Sequence, residues 1–131
     1  MVDKIHFHIN KYKNIIEIDI INNLTDKVIK EYYPKVKKEL SNKYKIDVNY
    51  YEYKLNFYIH RMTPNKDNLK QLVKLIKSVS LKGFKQIDII LDKPMKIQKE
   101  ILLKELKEIK GIKIFSTNKM YKYKYWEGEN C

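Results

Sequence analysis

Tyr121, Tyr123 and Tyr125 alternate with Lys122 and Lys124, and Trp126 ends the run. On a strand, successive side chains point to opposite faces, so this spacing sets the three rings on one side and the two ammonium groups on the other. Aromatic rings stack bases and ammonium groups neutralise phosphates, which is the chemistry of single-stranded nucleic-acid binding. Tyr58 and Arg61, near the end of an earlier strand candidate, extend the same basic and aromatic character, as do Lys11-Tyr12-Lys13 and Lys43-Tyr44-Lys45. Tyrosine also favours strands and covers sheet surfaces well, so packing is the competing explanation for the same residues.

The formal net charge is +12 at pH 7, from 28 basic and 16 acidic residues. Lysine supplies 27 of the basic residues and Arg61 is the single arginine. Lysine, isoleucine, asparagine and tyrosine all have A/T-rich codons, so genome composition explains part of this. Glutamate codons are fairly A/T-rich too, and the excess of basic residues therefore survives as a signal for a polyanionic partner. Lysine acts as a point charge and lacks the planar fork that reads guanine edges. The expected function is thus that of a small basic protein binding RNA or single-stranded DNA with little sequence preference. Exposed tyrosine and tryptophan with lysine steering suit an acidic protein partner equally well, which would make the chain an inhibitor, immunity or adaptor protein.

A second group of residues points to metal chemistry. His6 and His8 alternate with Ile5, Phe7 and Ile9, and Glu17 and Asp19 alternate with Ile16, Ile18 and Ile20. If the two segments pair as a hairpin, the imidazoles and carboxylates share a face, a donor set able to hold a divalent metal. His6-Phe7-His8 also resembles the histidine–hydrophobe–histidine motif of the HUH single-strand endonucleases, and Tyr32-Tyr33-Pro34-Lys35 is similar to their Tyr-x-x-Lys element. That resemblance implies a ferredoxin-like core and a helical tyrosine nucleophile. Asp47 with Glu52-Tyr53-Lys54 is similar to the carboxylate and Glu-x-Lys elements of restriction-type nucleases, where acidic groups hold magnesium. A small metal-dependent nuclease is accordingly the third function considered. Alternation alone places histidines on exposed strands, and the expectation adopted is surface histidines, no cofactor and no catalytic residue. The three glycines lie well apart, so no phosphate-binding glycine loop exists, and no serine has a nucleophile-elbow context.

Strand periodicity covers 4–9, 14–21, 45–51, 54–61, 86–91, 112–115 and 120–126, with residues 10–13 as a hairpin connection. Leu24, Val28, Tyr32, Val36 and Leu40 recur every four residues and predict a helix over 23–42, which Pro34 should kink or divide. Thr63-Pro64-Asn65 starts a helix through Leu69, Leu72, Val73, Ile76 and Val79, and Gly83 closes it. Asp92-Lys93-Pro94 opens a third helix with Ile97, Ile101, Leu102, Leu106 and Ile109 inward. The order β-β-α-β-β-α-β-α-β-β predicts an α+β fold: one mixed, largely antiparallel sheet, three helices and a ferredoxin-like core. A competing division takes 54–115 as βαβαβ with parallel strands. The polar strand face would carry His6, His8, Asn49, Asn56, Tyr58 and His60.

At 131 residues one domain spanning 1–131 is expected, with a core large enough to need no staples. No apolar run approaches the roughly 18 residues of a membrane span. Cys131 is the only cysteine, which excludes a disulfide framework and a cysteine metal cluster and makes a reducing cytoplasm the expected setting.

Overall fold

Among the described residues, five strands and three helices follow one another as β1 (Lys4–Asn10), β2 (Ile15–Ile21), α1 (Asp26–Lys38), β3 (Lys54–His60), α2 (Lys66–Ser80), β4 (Gln86–Asp92), α3 (Lys96–Glu105) and β5 (Ile112–Thr117). The structure is a computed structural model that describes residues 3–10, 13–38 and 52–117. The strands form one mixed sheet in the order β1-β2-β3-β4-β5. β1 and β2 are an antiparallel pair, with Ile5 opposite Ile20 and Phe7 opposite Ile18. Asn14, just before β2, has φ 52°, a left-handed conformation that asparagine tolerates better than most residues.

The remaining pairings, β2 with β3, β3 with β4 and β4 with β5, are all parallel. This corrects the expected largely antiparallel sheet. The ferredoxin-like arrangement would set the 86–91 strand antiparallel beside the 14–21 strand. Instead β4 lies parallel to β3, with Phe57 opposite Ile89. The βαβαβ division of 54–115 matches what is seen. Side-chain alternation is the same in both kinds of ladder, so the periodicity that located the strands carried no information about their direction.

Parallel neighbours joined in sequence need crossover connections, and right-handed crossovers between successive strands bring their helices to one side of the sheet. The packing agrees. Ile16, Ile18 and Ile20 of β2, Leu55, Phe57 and Ile59 of β3, and Ile87, Ile89 and Leu91 of β4 share one core with Val28, Val36, Leu72, Ile76, Val79 and Leu102 of the helices. Fully burying each such side chain contributes about 1.5–3 kcal/mol. The strand and helix periods mark Ile5, Phe7, Ile18, Val48, Phe57, Leu72, Ile76, Ile89, Ile101 and Leu106 as interior positions; of these Phe7 and Ile101 are half-buried, Val48 lies outside the described residues and the others are buried.

α1 runs unbroken through Pro34, contrary to the expected division. Proline removes the bond to the carbonyl four residues back, and Pro34 is exposed, so water can meet the freed oxygen. α1 lies against β1, whereas α2 packs on α3 and α3 reaches β5. α1 and α2 meet through the side-chain pairs Gln71–Asp26 and Tyr33–Ser78, and a groove lies between them. No helix among the described residues is long and apolar enough to cross a membrane.

Candidate functional site

The metal candidates meet as the hairpin predicts but do not form a centre. His6 faces Asp19 and His8 faces Glu17 across the β1–β2 ladder. Among the described residues, no group of three or more His, Cys, Asp or Glu converges as a metal site would require. Asp19 Oδ1 instead lies 2.7 Å from Nε2 of His60, and both side chains are almost wholly buried. The expectation of surface histidines is thus corrected for His60, whose imidazole is a buried partner of a carboxylate. Tyr32 packs against the core on the helix side of the sheet, while His6 and His8 occupy the opposite face. The sheet separates the proposed nucleophile from the histidines, so the HUH arrangement is not formed. Lys54 of the Glu-x-Lys element makes an ion pair of 2.6 Å with Asp88, and Asp47 lies outside the described residues.

The polar sheet face was the expected place of His6, His8, Asn49, Asn56, Tyr58 and His60. The strand register does place His6, His8, Asn56, Tyr58 and His60 together on it, while Asn49 lies outside the described residues. Its centre is nonetheless enclosed: Tyr58 is 5% exposed, Asp19 and His60 2% each. Tyr58 Oη accepts a 3.1 Å hydrogen bond from Asn56 Nδ2, and Gln86 Nε2 donates to Asp88 Oδ1 at 2.6 Å. Among the described residues Asn56 Oδ1 is a buried acceptor without a partner. Among the described residues, carboxylates at Glu17, Asp19, Asp88 and Asp92 balance the lysines at 4, 54 and 113 on this face. Arg61 follows β3 at φ 55°, exposed, with its backbone N–H donating to Asp92 Oδ2 at 3.4 Å. Tyr121, Lys122, Tyr123, Lys124, Tyr125 and Trp126 lie outside the described residues.

Positive charge gathers on the helices instead. α2 carries Lys66, Lys70, Lys74 and Lys77, a stripe at three- and four-residue spacing, against one acid, Asp67. α1 carries Lys27, Lys30, Lys35, Lys37 and Lys38 against Asp26 and Glu31. Where both helices begin, at the C-terminal ends of β2 and β3, they enclose a crevice of about 660 Å³ that includes Lys27, Lys70 and Lys74 in its lining. Crevices at the carboxyl ends of parallel strands are the usual ligand position in open α/β sheets. A second depression of about 240 Å³ continues down the groove past Ile29, Lys30, Tyr33, Lys74 and Ser78. Lys37 Nζ sits 5.3 Å from the centroid of the Tyr33 ring, a cation–π contact near the foot of the groove.

The two walls are tied together. Thr25 and Asn65 cap the helices, accepting from the N–H groups of Val28 at 3.3 Å and Asn68 at 2.8 Å. Asn68, 2% exposed, reaches across to the preceding loop. Its Oδ1 accepts from Leu24 N at 3.0 Å, and its Nδ2 donates to Asn23 Oδ1 at 2.8 Å and to Thr63 Oγ1 at 2.9 Å. Thr63 Oγ1 in turn donates to Asn23 Oδ1 at 2.9 Å, so the loop before α1 and the loop before α2 are bonded to each other across the head of the groove. Farther down, Gln71 Nε2 donates to Asp26 Oδ1, and Tyr33 Oη bonds Ser78 Oγ at 3.3 Å.

Sequence reasoning located the α2 cap but missed Asn68, Asn23 and the lysines of the groove. The four-residue lysine spacing on α2 was visible. That it faces a gap beside α1 follows only from the packing. Compared with protein-family models, curated proteins and solved structures, the chain shows no significant match to any.

Proposed function

We propose that this chain is a small basic binding protein that contacts RNA or single-stranded DNA with little sequence preference, and that the contact runs along the groove between α1 and α2. The observation that carries the reading is the grouping of Lys27, Lys30, Lys70 and Lys74 around two adjoining depressions between α1 and α2, the lower of which holds the Tyr33 ring, with the Gln71–Asp26 hydrogen bond between them. Two carboxylates, Asp26 and Asp67, stand against these four ammonium groups and leave the positive sign in excess. Exposed ammonium groups on a rigid pair of helices neutralise backbone phosphates whatever the base, and a tyrosine ring accepts any base by stacking. Tyr121, Lys122, Tyr123, Lys124, Tyr125, Trp126 and Arg61 remain candidate contributors on their chemistry alone. A cytoplasmic setting belongs to the same proposal and rests on the single cysteine.

The acidic-protein reading has one observation of its own. An apolar depression of about 290 Å³ between α2 and α3 is lined by Leu69, Val73 and Ile101 and edged by Lys66 and Lys70. It competes with the groove for Lys70.

Fluorescence anisotropy with mixed-sequence oligonucleotides across a salt series decides between them. Binding should be firm at about 50 mM salt and weaken by about 0.7 log unit per log salt for each phosphate contact. Replacing Lys27, Lys30, Lys70 and Lys74 by alanine together should flatten that slope by about 3 and weaken all sequences alike. No binding at low salt, or an unchanged slope in the quadruple variant, would reject the nucleic-acid groove.

A further inference from the structure

The depression of about 290 Å³ between α2 and α3 lies on the other flank of α2 from the groove. Leu69 and Val73 of α2 and Ile101 of α3 form its apolar lining. Ile97, 56% exposed, precedes Ile101 by one turn and extends the apolar strip along the same face of α3. The charged atoms of the lining belong to exposed residues: Lys66 and Lys70 on α2, Glu105 on α3. An apolar floor with charge confined to its rim is the anatomy of a protein interface.

The sign of the rim selects the partner. Lys77 follows Lys66 and Lys70 at helical spacing, so this flank of α2 carries three ammonium groups, while the acid of α2, Asp67, lines the crevice on the other side. On α3, Glu100 and Glu105 flank the apolar strip together with Lys104, so the rim keeps a positive excess and its cationic side is α2. A second copy of this chain would set the same lysines against these, and each copy carries a net charge of +12, so self-association here is disfavoured. An acidic partner gains from both. Both walls are helices, whose backbone groups are bonded within their own turns and offer no ladder to an extended chain. A partner segment that buries its main chain on this floor has to satisfy its own N–H and C=O groups, and a helix does so.

We propose that the α2–α3 depression is the docking site for an amphipathic helix of an acidic partner protein. Its apolar side chains enter beside Leu69, Val73, Ile97 and Ile101, and its carboxylates lie along Lys66, Lys70 and Lys77. The proposal rests on the acidic-partner reading and not on the nucleic-acid groove, whose lining shares only Lys70 with the depression.

Fluorescence anisotropy on the full chain would use three labelled peptides of about 18 residues, long enough to hold a helix. The first carries leucines on one face and glutamates on the other; the second has lysines for the glutamates, and the third has serines for the leucines. The acidic leucine peptide should bind about tenfold tighter than either of the others. Ile97→Asn with Val73→Thr should weaken it about tenfold. Lys66→Glu, outside the groove, should weaken the acidic leucine peptide and strengthen the lysine peptide. Lys30→Glu makes the same change in net charge inside the groove and should leave every affinity within about twofold, because exposed charges beyond a Debye length are screened. Equal losses in Lys30→Glu and Lys66→Glu, or equal binding of the serine and leucine acidic peptides, would reduce the interaction to net charge and overturn the proposal. So would unchanged affinity in the Ile97→Asn, Val73→Thr variant, or no peptide binding at all. Oligonucleotide anisotropy on the same samples reports the groove separately, so failure of one reading is distinguishable from failure of the other.

Discussion

The polar face of the sheet and the groove between α1 and α2 are both rich in ionisable groups, yet these are held in opposite ways. On the sheet face the central groups are enclosed and answered by one another: Asp19 by His60, Asp88 by Lys54 and Gln86, Asn56 by Tyr58. In the groove the charged atoms of Lys27, Lys30, Lys70 and Lys74 belong to exposed residues, and the buried polar group beneath them, Asn68, is spent on joining two loops. A buried, paired charge loses its partner only at high cost, so it serves the fold. An exposed ammonium group exchanges water for phosphate cheaply, so it is available for binding. Residue type alone does not distinguish these cases; enclosure and pairing do.

The contrast can be broken most directly at the buried pair. Asp19→Ala should leave the His60 ring nitrogen without its hydrogen-bond partner in an enclosed site and destabilise the protein by about 3 kcal/mol, the upper end for a buried polar group left unsatisfied, in urea or guanidinium unfolding. Replacing both members, Asp19→Leu with His60→Phe, should recover much of that loss. If Asp19→Ala instead unfolds within a few tenths of a kcal/mol of the parent, the sheet face is a working surface and the comparison is wrong.

A smaller effect is expected where the groove rests on the core. Asn68→Ala removes the acceptor of the Leu24 N–H and the donor to Asn23 and Thr63. Leaving a buried backbone donor unsatisfied costs about 1–3 kcal/mol. Hydrogen exchange should show the Leu24 amide losing protection first. Retained protection there would mean that the two loops are joined by something other than Asn68.

Smallest of all should be the stability change in the variant lacking Lys27, Lys30, Lys70 and Lys74. Exposed substitutions of this kind shift unfolding by no more than about 0.5 kcal/mol. A loss of several kcal/mol would show that these lysines support the fold, and would remove the distinction between the two regions.

Much of the local architecture was legible. The alternation of Ile5, Phe7 and Ile9 with His6 and His8, and of Ile16, Ile18 and Ile20 with Glu17 and Asp19, predicts the faces of β1 and β2, and the short connection over 10–13 predicts their antiparallel pairing. Thr63-Pro64-Asn65 marks the start of α2, and Asn65 does cap it. Gly83 and Gly111 stand where the chain leaves α2 and enters β5 with φ of 83° and 82°, in the region open to glycine at little cost. The candidate site was less legible, because its parts are distant in sequence. Asn68 meets Leu24 across 44 residues, and Tyr33 meets Ser78 across 45.

By itself, then, the sequence determined which residues alternate, which recur at helical spacing and where helices must begin, because these depend on the chain's own stereochemistry over a few neighbours. The direction of the strands, the burial of His60 against Asp19, and the gap that turns two lysine-bearing helices into one groove were decided by tertiary structure. Each depends on which elements become neighbours, and that choice is made by right-handed crossovers and by the packing of one apolar sheet face against three helices. A lysine stripe on α2 reads the same whether the helix beside it is near or far. Only the placement of α1 over β1 leaves that stripe beside an open groove.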